Sequence, residues 1–508
     1  MPRIYLDHAA TTPPDPRVIE AMLPMWTTYW GNPSSIYLEG QEARRAIDSA
    51  RKLCADLLGV TPKEVVFTGG GTESDNAAIR GAAFAQRDRG RGNHIITSAI
   101  EHHAVLHTVE QLEREGFRAT YLPVDAAGVV DLAALEATVG PETTVVSVMA
   151  ANNEVGTLQP IAEISRIAKA KNPKVVVHTD AVQAAGAVDI RPATLGVDLL
   201  SIAGHKLYGP KGVGLLYIKN RTPWQPLILG GSQEKERRAG TENVAGIVGL
   251  ATAMKLAWDE FEARNAHSRA LRDRLLFELP ERIPDTVITG PVDPAGRLSN
   301  NFSCCFRNVE GESVLLALDM ADIAASSGSA CTTGALEPSH VLTAMGIDPD
   351  LAHASLRLTV GAANTNEDID RVLDVLPEIV SRLRALAGRM RARANPTGLR
   401  KALLRQEVED VLDRADVLRV FIPDFELGVV RELFFNRDGQ IDDVEGVSAE
   451  VIDEAGFGLY FGGVDLQLAD NNIADALKNC SHGWLPPAAG FGWAREACFP
   501  SRPVEGVG

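Results

Sequence analysis

One lysine is singled out by its surroundings. In SIAGHKLYGPKGVG, residues 201–214, Lys206 follows His205 at the start of a loop. Gly204, Gly209, Pro210, Gly212 and Gly214 exclude a helix there and shape the turn. A lysine amine held in a partly dry pocket can form a Schiff base with an aldehyde; a solvated lysine is only a surface charge. Other segments that read as buried strands also end on groups with chemistry. Residues 64–68 run into Gly69-Gly70-Gly71-Thr72, a glycine turn opening a helix, where free N–H groups favour an anion. No Gly-Lys-Ser/Thr follows, so a nucleotide P-loop is excluded and a plain helix cap is the alternative. Residues 94–98 lead to His102, 144–149 to Asn153, 174–178 to Asp180 and Gln183, and 199–203 to His205 and Lys206. His103 and His107 share a helix face but lack an evident third metal ligand, and no resident metal is expected.

Those groups need a frame that gathers strand ends. The expected strands are 64–68, 94–98, 144–149, 174–178, 199–203 and 213–218. Helical patterns at 75–86, 104–115, 161–171 and 244–264 separate most of them. This βαβ rhythm predicts an α/β fold with a mostly parallel sheet covered on both faces. Ligands of such sheets bind beyond the carboxyl ends of the strands, where the named groups fall. Helices are also expected at 17–29 and 42–58. Residues 265–390 read as a smaller α+β domain, with strands near 286–289, 298–306 and 355–360 and a long helix over 366–391. The expected division is a large domain over 15–264 and a small one formed by 1–14 with 265–391. A C-terminal acidic α+β extension follows over 400–508.

Bulk properties narrow the function. The chain has 508 residues, 45% hydrophobic and 23% charged, with no apolar run near the ~18 residues of a membrane span. A net charge of −17 argues against direct nucleic-acid binding, which needs a basic face. The start of the chain lacks the pattern of a secretory signal. Six cysteines, at 54, 304, 305, 331, 480 and 498, show no disulfide or metal spacing, so reduced thiols and a cytoplasmic location are expected.

A cofactor with an aldehyde, a phosphate and a ring nitrogen to be kept protonated meets this set of groups. Pyridoxal 5′-phosphate has all three. Its aldehyde maps to Lys206, its phosphate to Gly71 and Thr72, and its nitrogen to Asp180, whose carboxylate favours the cationic ring.

Eight ordered motifs then identify a family resemblance. YLDHAATTP, FTGGGTESDNAAI, EHHAVL, NNEVGTLQPI, HTDAVQ, AGHKLYGPKGVG, RRAGTENVAGIVG and SSGSACTTGALEPSHVL resemble cysteine desulfurases of the NifS/IscS type over residues 3–390. The resemblance implies the fold-type-I, aspartate-aminotransferase-like architecture and a homodimer with its active sites at the interface. It implies that Lys206 anchors the cofactor and that His102 stacks on its ring as an acid or base. Asn153 and Gln183 would bond the ring hydroxyl region, and Asp180 the ring nitrogen. Thr72 and His205 would hold the phosphate, joined by Thr241 of the partner subunit. Arg357 would pair with the substrate carboxylate, with Asn153 and the Asn32 loop nearby. One departure is Ala203, where many members carry a serine that reaches the phosphate; one fewer hydrogen bond costs on the order of 1 kcal/mol.

The resemblance makes Cys331 the nucleophile. Its setting of serine, glycine and alanine is that of an exposed loop, and a thiolate rather than a thiol attacks sulfur. L-cysteine would become L-alanine while its sulfur passes to Cys331 as a persulfide. The destination would be iron–sulfur cluster assembly or another thiolation pathway, through a sulfur-acceptor or scaffold protein. Cys331 is also the candidate for a transient iron–sulfur ligand. A class V aminotransferase or selenocysteine lyase is the alternative enzyme, and a sulfur-relay scaffold the alternative of another class. Past about residue 392 the resemblance stops. Residues 401–508 carry 9 Lys+Arg against 20 Asp+Glu, net −11, with FFNRDGQIDDVE at 434–445 reading as a hairpin turn rather than a calcium loop.

Overall fold

The computed structural model describes residues 3–328, 338–393, 450–452 and 458–460. Cys331, Cys480, Cys498, the 434–445 segment and all of the 400–508 extension but 450–452 and 458–460 lie outside the described residues. The chain separates into two compact units, Met1–Ala392 and Arg393–Gly508.

In chain order the strands are β1 Ile4–Tyr5, β2 Val65–Thr68, β3 His94–Ser98, β4 Arg118–Leu122, β5 Thr143–Ser147, β6 Val176–Asp180 and β7 Leu199–Ala203. They continue with β8 Gly214–Ile218, β9 Thr286–Ile288, β10 Asn301–Phe306, β11 Ile323–Ala324, β12 Ser355–Thr359, β13 Glu450–Ile452 and β14 Gly458–Tyr460. Seven of them form the main sheet, in the order β2-β8-β7-β6-β5-β3-β4. Strands β2, β3, β5, β6, β7 and β8 are buried along their whole length, as a sheet covered on both faces requires. The neighbouring pairs from β7 through β6, β5 and β3 to β4 are parallel, whereas β8 runs antiparallel to both β7 and β2. The loop from Gly204 to Val213 explains the reversal, because it is too short for the crossover a parallel return needs.

Three sequence expectations are corrected in detail. Residues 118–122 were not expected as a strand, but β4 forms the sheet edge there; its Arg118 and Thr120 break any apolar run. The helix expected over 17–29 is two pieces, Pro16–Met22 and Pro24–Thr27, because Pro24 has no N–H to continue the first. The helix expected over 244–264 ends at Asp259 and a second runs Phe261–Arg282. Between them the Glu260 carboxylate is taken by Arg17 and Arg264. Elsewhere Leu38–Leu58 ends as the sequence suggests, with Gly59 at φ 68° and its N–H on the last turn.

A second, antiparallel sheet has the order β12-β10-β9. It packs with helices Phe261–Arg282 and Asn366–Arg393 around Leu275, Phe302, Leu358 and Leu376. Ile4 and Leu6 belong to this core, and β1 pairs in parallel with β11. In the second unit, β13 and β14 form an antiparallel pair.

Candidate active site

Because β8 alone is reversed, the carboxyl ends of β2, β3, β5, β6 and β7 share one edge of the main sheet. After β2, residues Gly69 and Gly70 turn the chain into the helix Gly71–Arg87. Any Cβ on Gly71 would sit 2.9 Å from the Val182 side chain, so the turn needs glycine. A cavity of about 540 Å³ opens there, lined by Ala10, Thr11, Gly70, Gly71, Thr72 and His205 among others. Thr72 is exposed at the helix start. His205 is held through Nδ1 by the Thr11 hydroxyl at 3.1 Å. Burial and the charges of Lys206 and Lys211 push His205 down to about 4, so it is neutral at pH 7. Ala203 is fully buried beneath the turn and offers only its methyl group.

At the end of β6 the site is acidic and dry. Burial lifts Asp180 to about 6, against the Val182 N–H on its Oδ1 and the charge of Lys206. Behind it, burial and then the Asp180 charge push Asp75 well above the usual carboxylate range. Burial lifts Glu101 to about 8, despite hydrogen bonds from Ser98 and the Met149 N–H. His178, two residues before Asp180, is neutral and bonded to Ser147 at 2.8 Å and Ser201 at 3.0 Å. A protonated ring nitrogen would pair with the Asp180 carboxylate, which at about 6 is ionised at pH 7.

Lys206, just after β7, packs against the segment leading out of β1. Its ammonium donates to the carbonyls of Ala9 and Ala10, the latter at 2.7 Å. Gln183 donates to the same Ala9 carbonyl at 2.9 Å. Nothing local in the sequence marks this segment as part of the site, although Ala9–Thr12 lie within the motif YLDHAATTP. Thr12 reinforces it, accepting from the Tyr208 N–H and donating to the His205 carbonyl.

His102 caps the helix His103–Arg114, its Nδ1 accepting the Ala104 N–H at 3.1 Å. That bond places the hydrogen of the neutral ring on Nε2. Burial, then Lys206 and the neighbouring histidines, push His102 down to about 4. His340, a residue the sequence did not suggest, stacks 4.8 Å from His103, which is itself 4.9 Å from His107. Among the described residues no three such side chains are arranged to hold a metal. Asn153 gives its carbonyl to Arg357 Nη1 at 2.9 Å, and Arg357 Nη2 reaches Asp7 at 2.9 Å. Arg357 is almost wholly buried, and its Nε has no partner among the described residues.

Two other expected residues lie apart from this group. Thr241 is exposed before the helix Val244–Asp259, and Asn32 is exposed in a turn where it accepts the Ser34 N–H. Near Asn32, Ile36 is 90% and Trp30 67% exposed, as part of an apolar surface that also holds Trp26, Tyr37 and Leu38.

The residues present fit pyridoxal 5′-phosphate. An amine, a glycine-lined anion cradle and a buried carboxylate lie along one sheet edge, and the buried Arg357 Nε–H has no partner among the described residues. Comparison with known proteins agrees. The class-V aminotransferase family matches residues 4–372. The chain belongs to this family. Within it the likeness is to cysteine desulfurases. Cysteine desulfurase IscS of Methanosarcina thermophila is 53% identical over 384 residues, covering 76% of this chain and 93% of that protein. A solved NifS-like protein is 40% identical with TM-score 0.70, over 75% of this chain and all of that one. The structure of SspA in complex with cysteine is 35% identical with TM-score 0.62, over 71% of this chain and all of SspA. The enzyme is thus a pyridoxal-phosphate-dependent cysteine desulfurase, and its family match ends before the acidic extension begins.

Proposed function

We propose that this desulfurase converts L-cysteine to L-alanine and stores the sulfur on Cys331 as a persulfide. The observation that carries the reading is the meeting of Lys206, Asp180 and the Gly70–Thr72 cradle along one sheet edge. When bound, the cofactor supplies an electron sink that weakens the bond between the β-carbon and sulfur. The chain's residues do the rest. Thr72, the N–H groups at Gly71 and His205 hold the phosphate; Asn153, Gln183 and Asp180 set the ring. Arg357 binds the α-carboxylate through a planar guanidinium suited to two oxygens. Lys206 moves the α-proton, and the Ala9 and Ala10 carbonyls receive its ammonium form. His102 holds a proton at Nε2.

The Cys331 thiolate then takes the sulfur atom while the substrate carbon gains a proton, so cysteine and thiol become alanine and persulfide. The described cysteines support this choice by exclusion. Cys54, Cys304 and Cys305 are buried, and burial raises their thiols, Cys54 and Cys305 to about 12. Cys331→Ser should keep the cofactor's visible absorbance yet stop sulfide release from cysteine. Unchanged turnover would remove Cys331 from the account.

The domain division, 15–264 against 1–14 with 265–391 and then 400–508, belongs to the same reading. So does the homodimer, which the exposed Trp30, Ile36 and Tyr37 surface supports and which would bring in Thr241 of the partner subunit. Light scattering that returns a single chain would overturn it. The sulfur passes to an acceptor protein, for iron–sulfur assembly or another thiolation, with the acidic extension as the candidate docking element. Among the described residues no helix is long and apolar enough to cross a membrane, and we place the reaction in the cytoplasm.

A further inference from the structure

The guanidinium of Arg357 has five N–H groups in a fixed plane and uses only part of them. Nη1 donates to the Asn153 carbonyl and Nη2 to Asp7 Oδ1, each at 2.9 Å. The Nε–H is buried and has no partner among the described residues. A buried donor left unpaired is costly, so it points to a ligand oxygen. The Nε–H and one hydrogen of Nη2 form one edge of the plane, and that edge matches the two oxygens of a carboxylate. A long flexible side chain keeps one edge open only if its other contacts fix the plane. Asn153 fixes one corner. Asp7 fixes the other.

We propose that Asp7 is the positioning residue for the substrate's α-carboxylate: by accepting from Nη2 it holds Arg357 with its Nε edge presented. The proposal rests on the reading of Arg357 as the carboxylate ligand. Asp7 can do this because its backbone is secured without its side chain. Leu6 accepts the Thr359 N–H at 2.7 Å, the Ala9 N–H reaches the Thr359 hydroxyl at 2.9 Å, and the Tyr5 hydroxyl donates to the Asp7 carbonyl. Loss of the Asp7 carboxylate therefore frees the guanidinium without releasing the segment. What matters is an acceptor oxygen at that point. The negative charge works against an incoming carboxylate, so an amide oxygen there should serve as well.

The test uses holoenzyme with Asp7→Ala, Asp7→Asn and Arg357→Ala. L-cysteine turnover is measured, and binding of L-cysteine and of cysteamine, which lacks the carboxylate, is followed through the cofactor absorbance. Asp7→Ala should raise KM for L-cysteine on the order of tenfold, the scale of one charge-assisted hydrogen bond, with kcat little changed and cysteamine binding unaffected. Asp7→Asn should return KM to the wild-type value or below. Equal rises in Asp7→Ala and Asp7→Asn would overturn the proposal, as would an equal loss of cysteamine binding. If Arg357→Ala weakens cysteine alone and Asp7→Ala changes nothing, positioning by Asp7 is wrong while the Arg357 reading stands. If Arg357→Ala leaves cysteine binding intact, the Arg357 reading itself has failed.

Discussion

The two ends of the site are built in opposite ways. The proposed cofactor end comes from short pieces of chain, each a strand followed at once by the group it presents: Gly71 and Thr72 after β2, Asp180 closing β6, Lys206 after β7. The proposed substrate end comes from distant pieces, with Asp7 and Arg357 joined across 350 positions and Asn153 from the opposite sheet. Local construction brings each part of the cofactor end to the sheet edge on its own strand, although Lys206, Gln183 and His205 are also tied to Ala9, Ala10 and Thr11. Long-range construction makes a substrate end whose geometry depends on how the N-terminal segment lies across β12.

That contrast can be tested by the scale of three changes. The largest belongs to Lys206→Ala, which removes both the proposed covalent anchor and the proposed proton carrier. Alanine formation should fall by at least about a thousandfold, the scale of losing a nucleophile that also serves as base, and the lysine-bound absorbance should vanish. A variant that kept either would show that another amine does the work.

The buried acids behind Asp180 should give the next largest effect, read in cofactor-free protein. Glu101, lifted to about 8 from an ordinary 4.5, keeps its proton in the native state after the unfolded chain has lost it. Its contribution to stability is complete below the ordinary value and is lost as pH rises towards about 8. Wild-type melting temperature should therefore fall, relative to Glu101→Gln, as pH rises through that window. Parallel curves would mean that Glu101 is ionised throughout.

The smallest change is Ala203→Ser. A hydroxyl in place of the buried methyl adds one donor beneath the Gly71 turn, worth about 1 kcal/mol, so cofactor dissociation should weaken roughly fivefold. Titration of cofactor-free protein measures this directly. Weaker binding instead would mean that the turn has closed over Ala203 and has no room for an oxygen.

The same contrast explains what could be read from the sequence. Strands β3 and β7 and the helix Ile161–Lys171 were legible to the residue, because apolar runs bounded by turns leave little freedom. The groups following those strands were legible for the same reason. Strand β4 was not, since an edge strand need not be apolar on both faces. Thr11 and Asp7 were not, because nothing local marks a residue whose partner is His205 or Arg357. Glu101 and Asp75 stand within quoted motifs, but their burial beneath Asp180 is a property of the packed sheet rather than of spacing. The antiparallel turn into β8 was available from loop length alone.

The central claim is that the sulfur of cysteine comes to rest on Cys331. Holoenzyme mixed with one equivalent of L-cysteine, without reductant, and then cleaved for peptide mass spectrometry tests it most directly. The account predicts one added sulfur atom on the Cys331 peptide and an equal amount of alanine. Alanine formed with Cys331 unmodified, or with the sulfur first on Cys480 or Cys498, would contradict it.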